Sequence, residues 1–220
     1  MAEVPMFTRA AKMSFLRRSV LALIAAFLAL TAPAWAASKP FLGPEVDMGK
    51  ADAPITVIEY GSASCPHCAR FNNNVFPAFK AKYIDTGKVH YVFREFLTQP
   101  ADFAAAGFLM ARCVGRDRYL AVVADIFHDQ DKIYQSNDLP GGLRAIGAKY
   151  GLSNAAFESC VRDPEAQKAL EARQEAAQAA GIDGTPTFLI NKERLEGETT
   201  LGDLMLVIEP MLAKAAAEHH

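Results

Sequence analysis

The sequence predicts an α/β protein in which an all-helical insertion divides a small β-sheet. Two strand patterns flank a helical pattern early in the globular region, and two more precede a closing helix. Between these halves, residues 100–181 contain helical patterns and no convincing strand pattern. The chain has 220 residues, of which 51% are hydrophobic and 22% are charged, so it can form one sizeable core.

The first 37 residues have the pattern of a secretory signal peptide. Arg17 and Arg18 precede an apolar run at residues 20–30 that is too short to span a bilayer comfortably, and small residues follow it. We expect cleavage after Ala36 or Ala37 and a periplasmic location, where cysteines can persist as disulfides. A retained membrane anchor is the alternative, and the arginine pair leaves both Sec and twin-arginine export open.

The predicted globular domain covers residues 38–220 and begins with a short lead-in that has no clear periodicity. Residues 55–60 then predict a buried strand, and alternating residues at 89–96 predict a second one. Apolar residues at four-residue intervals predict the helix between them, namely Phe71, Val75, Phe79 and Tyr83. Pro77 lies within this helix and predicts a kink, because proline lacks the backbone N–H.

The helical insertion is expected at about residues 100–181. Its helical patterns cover residues 101–114, 119–127, 139–150, 155–161 and 164–180. The last helix has clear boundaries, with Asp163 as the N-cap, Pro164 at the first helical position and Gly181 just past the end.

Residues 185–190 predict a strand after the insertion, which the chain enters through a Gly-Thr-Pro sequence. A turn leads to a short partner strand at residues 194–196. The closing helix is expected to begin at Thr200, where Asp203 is placed for a capping interaction. We exclude the final two histidines from the fold.

The motif that carries chemistry is Cys65-Pro66-His67-Cys68, at the junction of the first strand and the following helix. A helix N-terminus favours negative charge, so the pKa of Cys65 is expected to fall. The His67 ring adds N–H donors near the sulfur and favours the thiolate further. A stabilised thiolate stabilises the reduced protein, which makes the disulfide a stronger oxidant by about 30 mV per pKa unit. Cys68, one turn into the helix, is expected to be the shielded resolving cysteine.

Other uses of the motif fit the sequence less well. A structural zinc site needs two more ligands, and Cys113 and Cys160 are isolated. Covalent haem attachment needs histidine directly after the second cysteine, where this chain has Ala69. An inert disulfide across two residues gains little chain entropy. We therefore expect redox catalysis by the cysteines, with no metal and no cofactor.

The combination of motifs resembles the DsbA-like thiol–disulfide oxidoreductases of the thioredoxin superfamily. It comprises Cys-Pro-His-Cys after a Val-Ile-Glu-Tyr strand, the helical insertion, and Gly-Thr-Pro-Thr before the closing strands, and extends over residues 55–212. The resemblance implies a thioredoxin-like fold, with Cys65 as the nucleophile and Pro186 as a cis-proline facing the disulfide. Beside Thr185 and Pro186 a backbone edge would stay open to an extended substrate. An ordinary trans turn proline is the alternative.

Glu59 precedes Cys65 by six residues on the predicted buried strand and is similar to the buried acid of this family. A carboxyl there could relay a proton to or from Cys68, whereas an exposed edge glutamate is the alternative. Cys113 and Cys160 lie on two predicted helices, and we expect a structural disulfide between them that stabilises by about 4 kcal/mol. Two buried free thiols are the other possibility, which the resemblance leaves open.

The expected function is that of a monomeric oxidase which donates its Cys65–Cys68 disulfide to newly exported proteins. Reoxidation by a quinone-linked membrane protein is implied by the resemblance alone. Thr185 before the proline also occurs in isomerases and reductases, so a periplasmic reductase or isomerase is the first alternative. Such isomerases usually carry an amino-terminal oligomerisation segment, for which residues 38–54 are too few.

A redox-inactive chaperone or binding module is the alternative from a different class of function. The net charge of −2, without long charged runs, gives no indication of a nucleic-acid partner.

Overall fold

A computed structural model describes residues 39–43 and 45–218. The predicted signal peptide at residues 1–37, with its expected cleavage after Ala36 or Ala37, lies outside the described residues, as do His219 and His220. Within the described ranges, no helix combines the length and apolar character that crossing a membrane requires.

A mixed sheet of five strands forms the centre of the described fold. The strands are β1 (Val46–Met48), β2 (Ile55–Gly61), β3 (Val89–Glu95), β4 (Thr187–Ile190) and β5 (Glu193–Glu196). Their spatial order is β1-β3-β2-β4-β5, and only the β2–β3 pair is parallel. β2 lies in the middle, so Glu59 has Phe93 on one side and Phe188 on the other.

The first crossover contains three short helical pieces where the sequence predicts one kinked helix. They are α1 (Pro66–Asn74), α2 (Phe76–Phe79) and a π-helical segment (Lys80–Ile84). The interruption at Val75 agrees with the kink predicted for Pro77, which cannot donate to the carbonyl one turn earlier. The apolar residues that predicted the helix still face the core, since Phe71, Phe79 and Tyr83 are buried.

Five helices lie between β3 and β4, as the sequence predicts. They are α3 (Ala101–Val114), α4 (Arg116–Ser136), α5 (Leu139–Lys149), α6 (Asn154–Val161) and α7 (Pro164–Ala179). Asp163 caps α7 by accepting from the Ala166 N–H at 2.9 Å, and Gly181 follows it with φ +77°. The final helix, α8 (Leu201–Glu218), begins with reciprocal hydrogen bonds between Thr200 and Asp203.

The prediction for α4 was wrong in length, because the pattern suggested only residues 119–127. The helix continues to Ser136 through several polar residues that weaken its apolar periodicity. Two side chains of this extension, Gln130 and Ile133, are buried. β1 was missed entirely, since three residues are too few to establish a period of two.

A buried ion cluster attaches the helical insertion to the sheet. Glu95, at the end of β3, accepts from Arg112 of α3 at 2.7 Å and from the Tyr119 hydroxyl of α4 at 2.7 Å. Arg173 of α7 binds the other carboxylate oxygen of Glu95. Arg112 also donates to the Phe41 carbonyl at 3.0 Å, so this cluster holds the lead-in segment as well.

Cys113 of α3 and Cys160 of α6 form a disulfide, with their Cα atoms 6.1 Å apart. The bond closes a loop across 47 positions and lies within the helical insertion. The fold class is thus an α/β sheet with an all-helical insertion, as predicted.

Candidate active site

Cys65 occupies the N-cap of α1, where strand β2 has ended and the helix begins. Its backbone is extended, with φ −83° and ψ 120°, and its sulfur accepts the Cys68 N–H at 3.4 Å. Pro66 takes the first helical position, where a missing N–H costs no intrahelical hydrogen bond and the fixed φ suits the helix. The Cys-Pro sequence therefore places the Cys65 sulfur at the N-terminus of the helix.

The surroundings of Cys65 stabilise its thiolate. Hydrogen bonding with the Cys68 side chain lowers the pKa of Cys65 most, and the Thr185 side chain and the N–H groups of Cys68 and His67 lower it further. These effects outweigh burial, which acts in the opposite direction, and the resulting pKa is about 5. An ordinary cysteine titrates near 8.5, so Cys65 is an anion at neutral pH.

The pKa of Cys68 shifts in the opposite direction from that of Cys65. It is fully buried, and this burial raises its pKa well above the usual value, with the neighbouring Cys65 and Glu59 acting in the same direction. Both cysteines are free thiols in this structure. The pair therefore consists of one thiolate at the helix start and one protonated thiol behind it.

Glu59 is buried on β2, as the resemblance implied, and is 2% exposed. Burial raises its pKa to about 8, although the Tyr91 hydroxyl, which donates to Glu59 Oε2 at 2.6 Å, opposes the shift. At neutral pH this carboxyl holds a proton that an exposed glutamate would have lost.

The peptide bond between Thr185 and Pro186 is cis, and it faces Cys65. The Cys65 sulfur lies 3.3 Å from the Thr185 carbonyl oxygen. The Pro186 carbonyl accepts the Gly197 N–H at 2.8 Å, which fixes this loop against the segment after β5. Apart from its interaction with the Cys65 sulfur, the buried Thr185 Oγ1 atom has no hydrogen-bond partner within the described residues.

A charged cluster that the sequence analysis missed lies at the exposed side of the motif. Arg70 Nη2 lies 2.7 Å from His67 Nδ1, and Arg70 Nε donates to Glu198 Oε1 at 2.9 Å. His67 Nδ1 also lies 3.2 Å from Glu198 Oε2, so Arg70, His67 and Glu198 contact one another. The His67 ring thus contacts Arg70 and Glu198, and the backbone N–H of His67 is the donor that lowers the Cys65 pKa.

The structure thus brings the motif, Glu59 and the Thr185–Pro186 pair together, while Cys113 and Cys160 form their disulfide in the insertion. Arg70 could have been suspected because it lies three residues, about one helical turn, after His67 on the same helix. Glu198 gave no such signal, since it is 128 positions further along the chain. Among the described residues, no group of three or more His, Cys, Asp or Glu side chains is placed to hold a metal ion.

Comparison with known proteins gives consistent results. The family model described as Thioredoxin matches residues 42–209. Among solved structures, alpha-DsbA1 of Wolbachia pipientis is 30% identical with a TM-score of 0.72, covering 83% of this chain and 97% of that one. BdbD of Bacillus subtilis, at 21% identity and a TM-score of 0.60 over 80% of this chain and 97% of that one, shares the fold.

Curated relatives carry names of the same kind. A Rickettsia typhi protein named as a protein-disulfide oxidoreductase is 36% identical over 151 residues, which is 68% of this chain and 55% of that protein. A Rickettsia bellii protein of the same name is 36% identical over 68% of this chain and 58% of its own length. The chain therefore spans little more than half the length of these relatives.

Proposed function

Since this chain belongs to the DsbA-like thiol–disulfide oxidoreductases of the thioredoxin superfamily, we propose that it introduces disulfides into exported proteins through a Cys65–Cys68 disulfide. The observation that carries this proposal is the difference between the two sulfurs. Cys65 lies at a helix N-terminus with a pKa of about 5, whereas the pKa of the buried Cys68 is raised. A stable Cys65 thiolate favours the reduced protein, so the disulfide form readily oxidises others.

The reaction proceeds by two thiol–disulfide exchanges. A substrate thiolate attacks the Cys65 sulfur of the disulfide, the Cys65–Cys68 bond breaks, and Cys68 leaves with the electron pair. A second substrate thiolate then attacks the substrate sulfur of this mixed disulfide, and Cys65 leaves as a stable thiolate. The substrate gains one disulfide, and the enzyme gains the two electrons and ends with both cysteines reduced.

Glu59 has a role in the first exchange. Cys68 must leave as a thiolate in a fully buried position, where burial strongly disfavours the charge. Glu59 is protonated near neutral pH, because burial raises its pKa to about 8, and it can supply the proton that Cys68 takes.

Substrate binding is assigned to the edge formed by Thr185 and Pro186. An extended peptide can pair with the backbone there, next to the Cys65 sulfur. The buried Thr185 hydroxyl has no other hydrogen-bond partner within the described residues, so it is available to the Cys65 sulfur or to the peptide.

The cellular context is part of the same proposal. Residues 1–37 act as a signal peptide, residues 38–220 form the mature periplasmic monomer, and residues 100–181 are its inserted helical part. A quinone-linked membrane protein reoxidises the cysteine pair. Support for this context comes from the apolar run at residues 20–30 and from family membership.

The test is oxidation of a reduced, unfolded substrate protein by the oxidised enzyme. Cys65→Ser should abolish the reaction. Cys68→Ser should react through Cys65 with an activated substrate and retain the mixed disulfide, because the resolving sulfur is missing. No oxidation by the wild type, together with equal effects of wild type and Cys65→Ser on substrate folding, would contradict a redox function and favour a chaperone or binding module.

Thr185 before the cis-proline supports a second candidate, a periplasmic reductase or isomerase. The redox state of the Cys65–Cys68 pair in cells separates the two functions. Trapping thiols in acid and labelling them should find the pair largely oxidised for an oxidase, and largely reduced for a reductase or isomerase.

A further inference from the structure

Two side chains of α4 contact the turn that leads into the cysteine motif. Gln130 Nε2 donates to the Ala63 carbonyl at 2.8 Å and to the Cys65 carbonyl at 3.4 Å. The Tyr134 hydroxyl donates to the Ser64 carbonyl at 2.8 Å. Three successive carbonyls of the turn therefore accept from residues one helical turn apart on a single helix.

These contacts are largely shielded from water. Gln130 is completely buried, and its Oε1 atom has no hydrogen-bond partner within the described residues. Leaving a buried amide oxygen unpaired is unfavourable, so packing alone does not account for a glutamine here. Burial raises the pKa of Tyr134 to about 12, and the negative charge of nearby Cys65 contributes to this shift.

We propose that Gln130 and Tyr134 are positioning residues that stabilise the Cys65 thiolate by holding the carbonyls of residues 63–65. The inference rests on the proposed function, because it explains how the helical insertion supports the same redox site. Neither side chain needs to touch the substrate for this role.

The Gln130 and Tyr134 donors act on the thiolate in two ways. Carbonyl oxygens carry partial negative charge, and a donor bound to each one offsets the repulsion between that oxygen and a nearby thiolate. The same donors fix the orientation of the turn, so that the N–H groups of His67 and Cys68 continue to face the Cys65 sulfur.

Other groups facing Cys65 come from three further elements. They are His67, Cys68 and Arg70 on α1, Glu59 on β2 and Thr185 in the loop before β4. Substituting Tyr134 or Gln130 leaves all of these unchanged in charge. A change in the Cys65 pKa then reports on the turn itself.

The decisive variant is Tyr134→Phe, which removes one hydroxyl and keeps the ring. Loss of one hydrogen bond to the turn should raise the Cys65 pKa by about half a unit, a roughly threefold fall in the thiolate-to-thiol ratio. The equilibrium constant for oxidising glutathione should fall by a similar factor. Both quantities are measured on purified protein, from thiolate absorbance against pH and from equilibration in glutathione buffers.

Tyr83→Phe is the matched control. It removes a hydroxyl that donates to Glu209 at 2.6 Å, on a segment that lies outside the motif and its turn. The inference requires that Tyr134→Phe shifts the Cys65 pKa while Tyr83→Phe leaves it unchanged. No shift in Tyr134→Phe, or equal shifts in both variants, would overturn it.

Gln130→Met tests the second donor and should shift the Cys65 pKa in the same direction as Tyr134→Phe. If this variant does not fold, the comparison of the two tyrosine variants decides the question. An ordinary Cys65 pKa in the wild type would instead count against the proposed function, which separates the two failures.

Discussion

At the scale of single residues, the site depends on pKa shifts of opposite direction in neighbouring side chains. Cys65 is held as an anion by hydrogen bonds, whereas Glu59 and Cys68 are kept protonated by burial. The sequence predicted the Cys65 shift, because a cysteine at a helix start has a defined electrostatic environment. It predicted a buried Glu59 only through the resemblance, since a strand residue has no intrinsic preference for one face.

The Cys65 shift predicts a pH-dependent gap in stability between reduced and oxidised protein. The folded thiol titrates near 5 and the unfolded one near 8.5, so between these values the unfolded reduced chain binds more protons. The stability of the reduced form relative to the oxidised form should therefore rise with pH, by at most about 1.4 kcal/mol per unit. The oxidised form has no thiol at this position.

Urea unfolding of both redox forms between pH 5 and about 8.5 measures this gap. Glu59 has the opposite effect on folding stability, because its raised pKa lowers the stability as the pH increases from about 4.5 to about 8. This residue is present in both redox forms. A stability difference that does not change with pH would contradict the account of Cys65.

Arg70 gives a second prediction at this scale. Its guanidinium is attracted by the Cys65 thiolate, so Arg70→Gln should raise the Cys65 pKa, by a few tenths of a unit because both Arg70 and its partner Glu198 are exposed. Glu198→Gln removes the opposite charge and should lower the Cys65 pKa. Titration of Cys65 at low and high salt checks whether the pKa shifts are electrostatic, since interactions between surface charges weaken in salt. Shifts of the same sign in both variants would point to a structural effect instead.

At the scale of elements, the Glu95 cluster connects α3, α4 and α7 to the end of β3. Arg112→Met should destabilise the fold by about 3–5 kcal/mol, because it removes one partner of a buried ion pair and leaves the carboxylate underpaired. Arg144→Met is the control, since the Arg144–Glu158 pair is partly exposed and is worth about 0–1 kcal/mol. Equilibrium unfolding in urea gives both values, and equal effects would show that burial of the Glu95 pair has no special importance.

Most elements could be predicted from sequence, and the exceptions have physical causes. Helices with clear boundaries, such as α7 between Asp163 and Gly181, begin and end close to their predicted residues. The second half of α4 could not be predicted, because its buried face continues through Gln130, which is polar, and Ile133 among other polar residues. The helix that carries the positioning residues is therefore the one whose extent was underestimated.

At the scale of the whole molecule, the disulfide between Cys113 and Cys160 should act on stability and leave the redox chemistry unchanged. Replacing both cysteines with alanine should lower the free energy of unfolding by about 4 kcal/mol, because the unfolded chain regains the freedom of a 47-residue loop. Calorimetry measures the loss, and the Cys65 pKa of the same variant is the control. Unchanged stability, or a shifted Cys65 pKa, would contradict this separation of roles.

The assembly of the site from distant segments is the part that sequence reasoning could not reach. The cysteine motif, the cis-proline loop and α4 come together through the sheet order and the packing of the insertion. No local sequence pattern predicts which carbonyl Gln130 will contact, and none predicts that Glu198 will contact Arg70. The chemistry could be predicted because it lies in four consecutive residues, whereas its support comes from the tertiary fold.

Direct titration of the thiolate absorbance of reduced protein tests the central claim, with Cys65→Ser as the reference. The account predicts a transition near 5 that disappears in Cys65→Ser and remains in Cys68→Ser. A transition at the ordinary cysteine value of about 8.5 would contradict it, because Cys65 would then be a common thiol with no tendency to give up its disulfide.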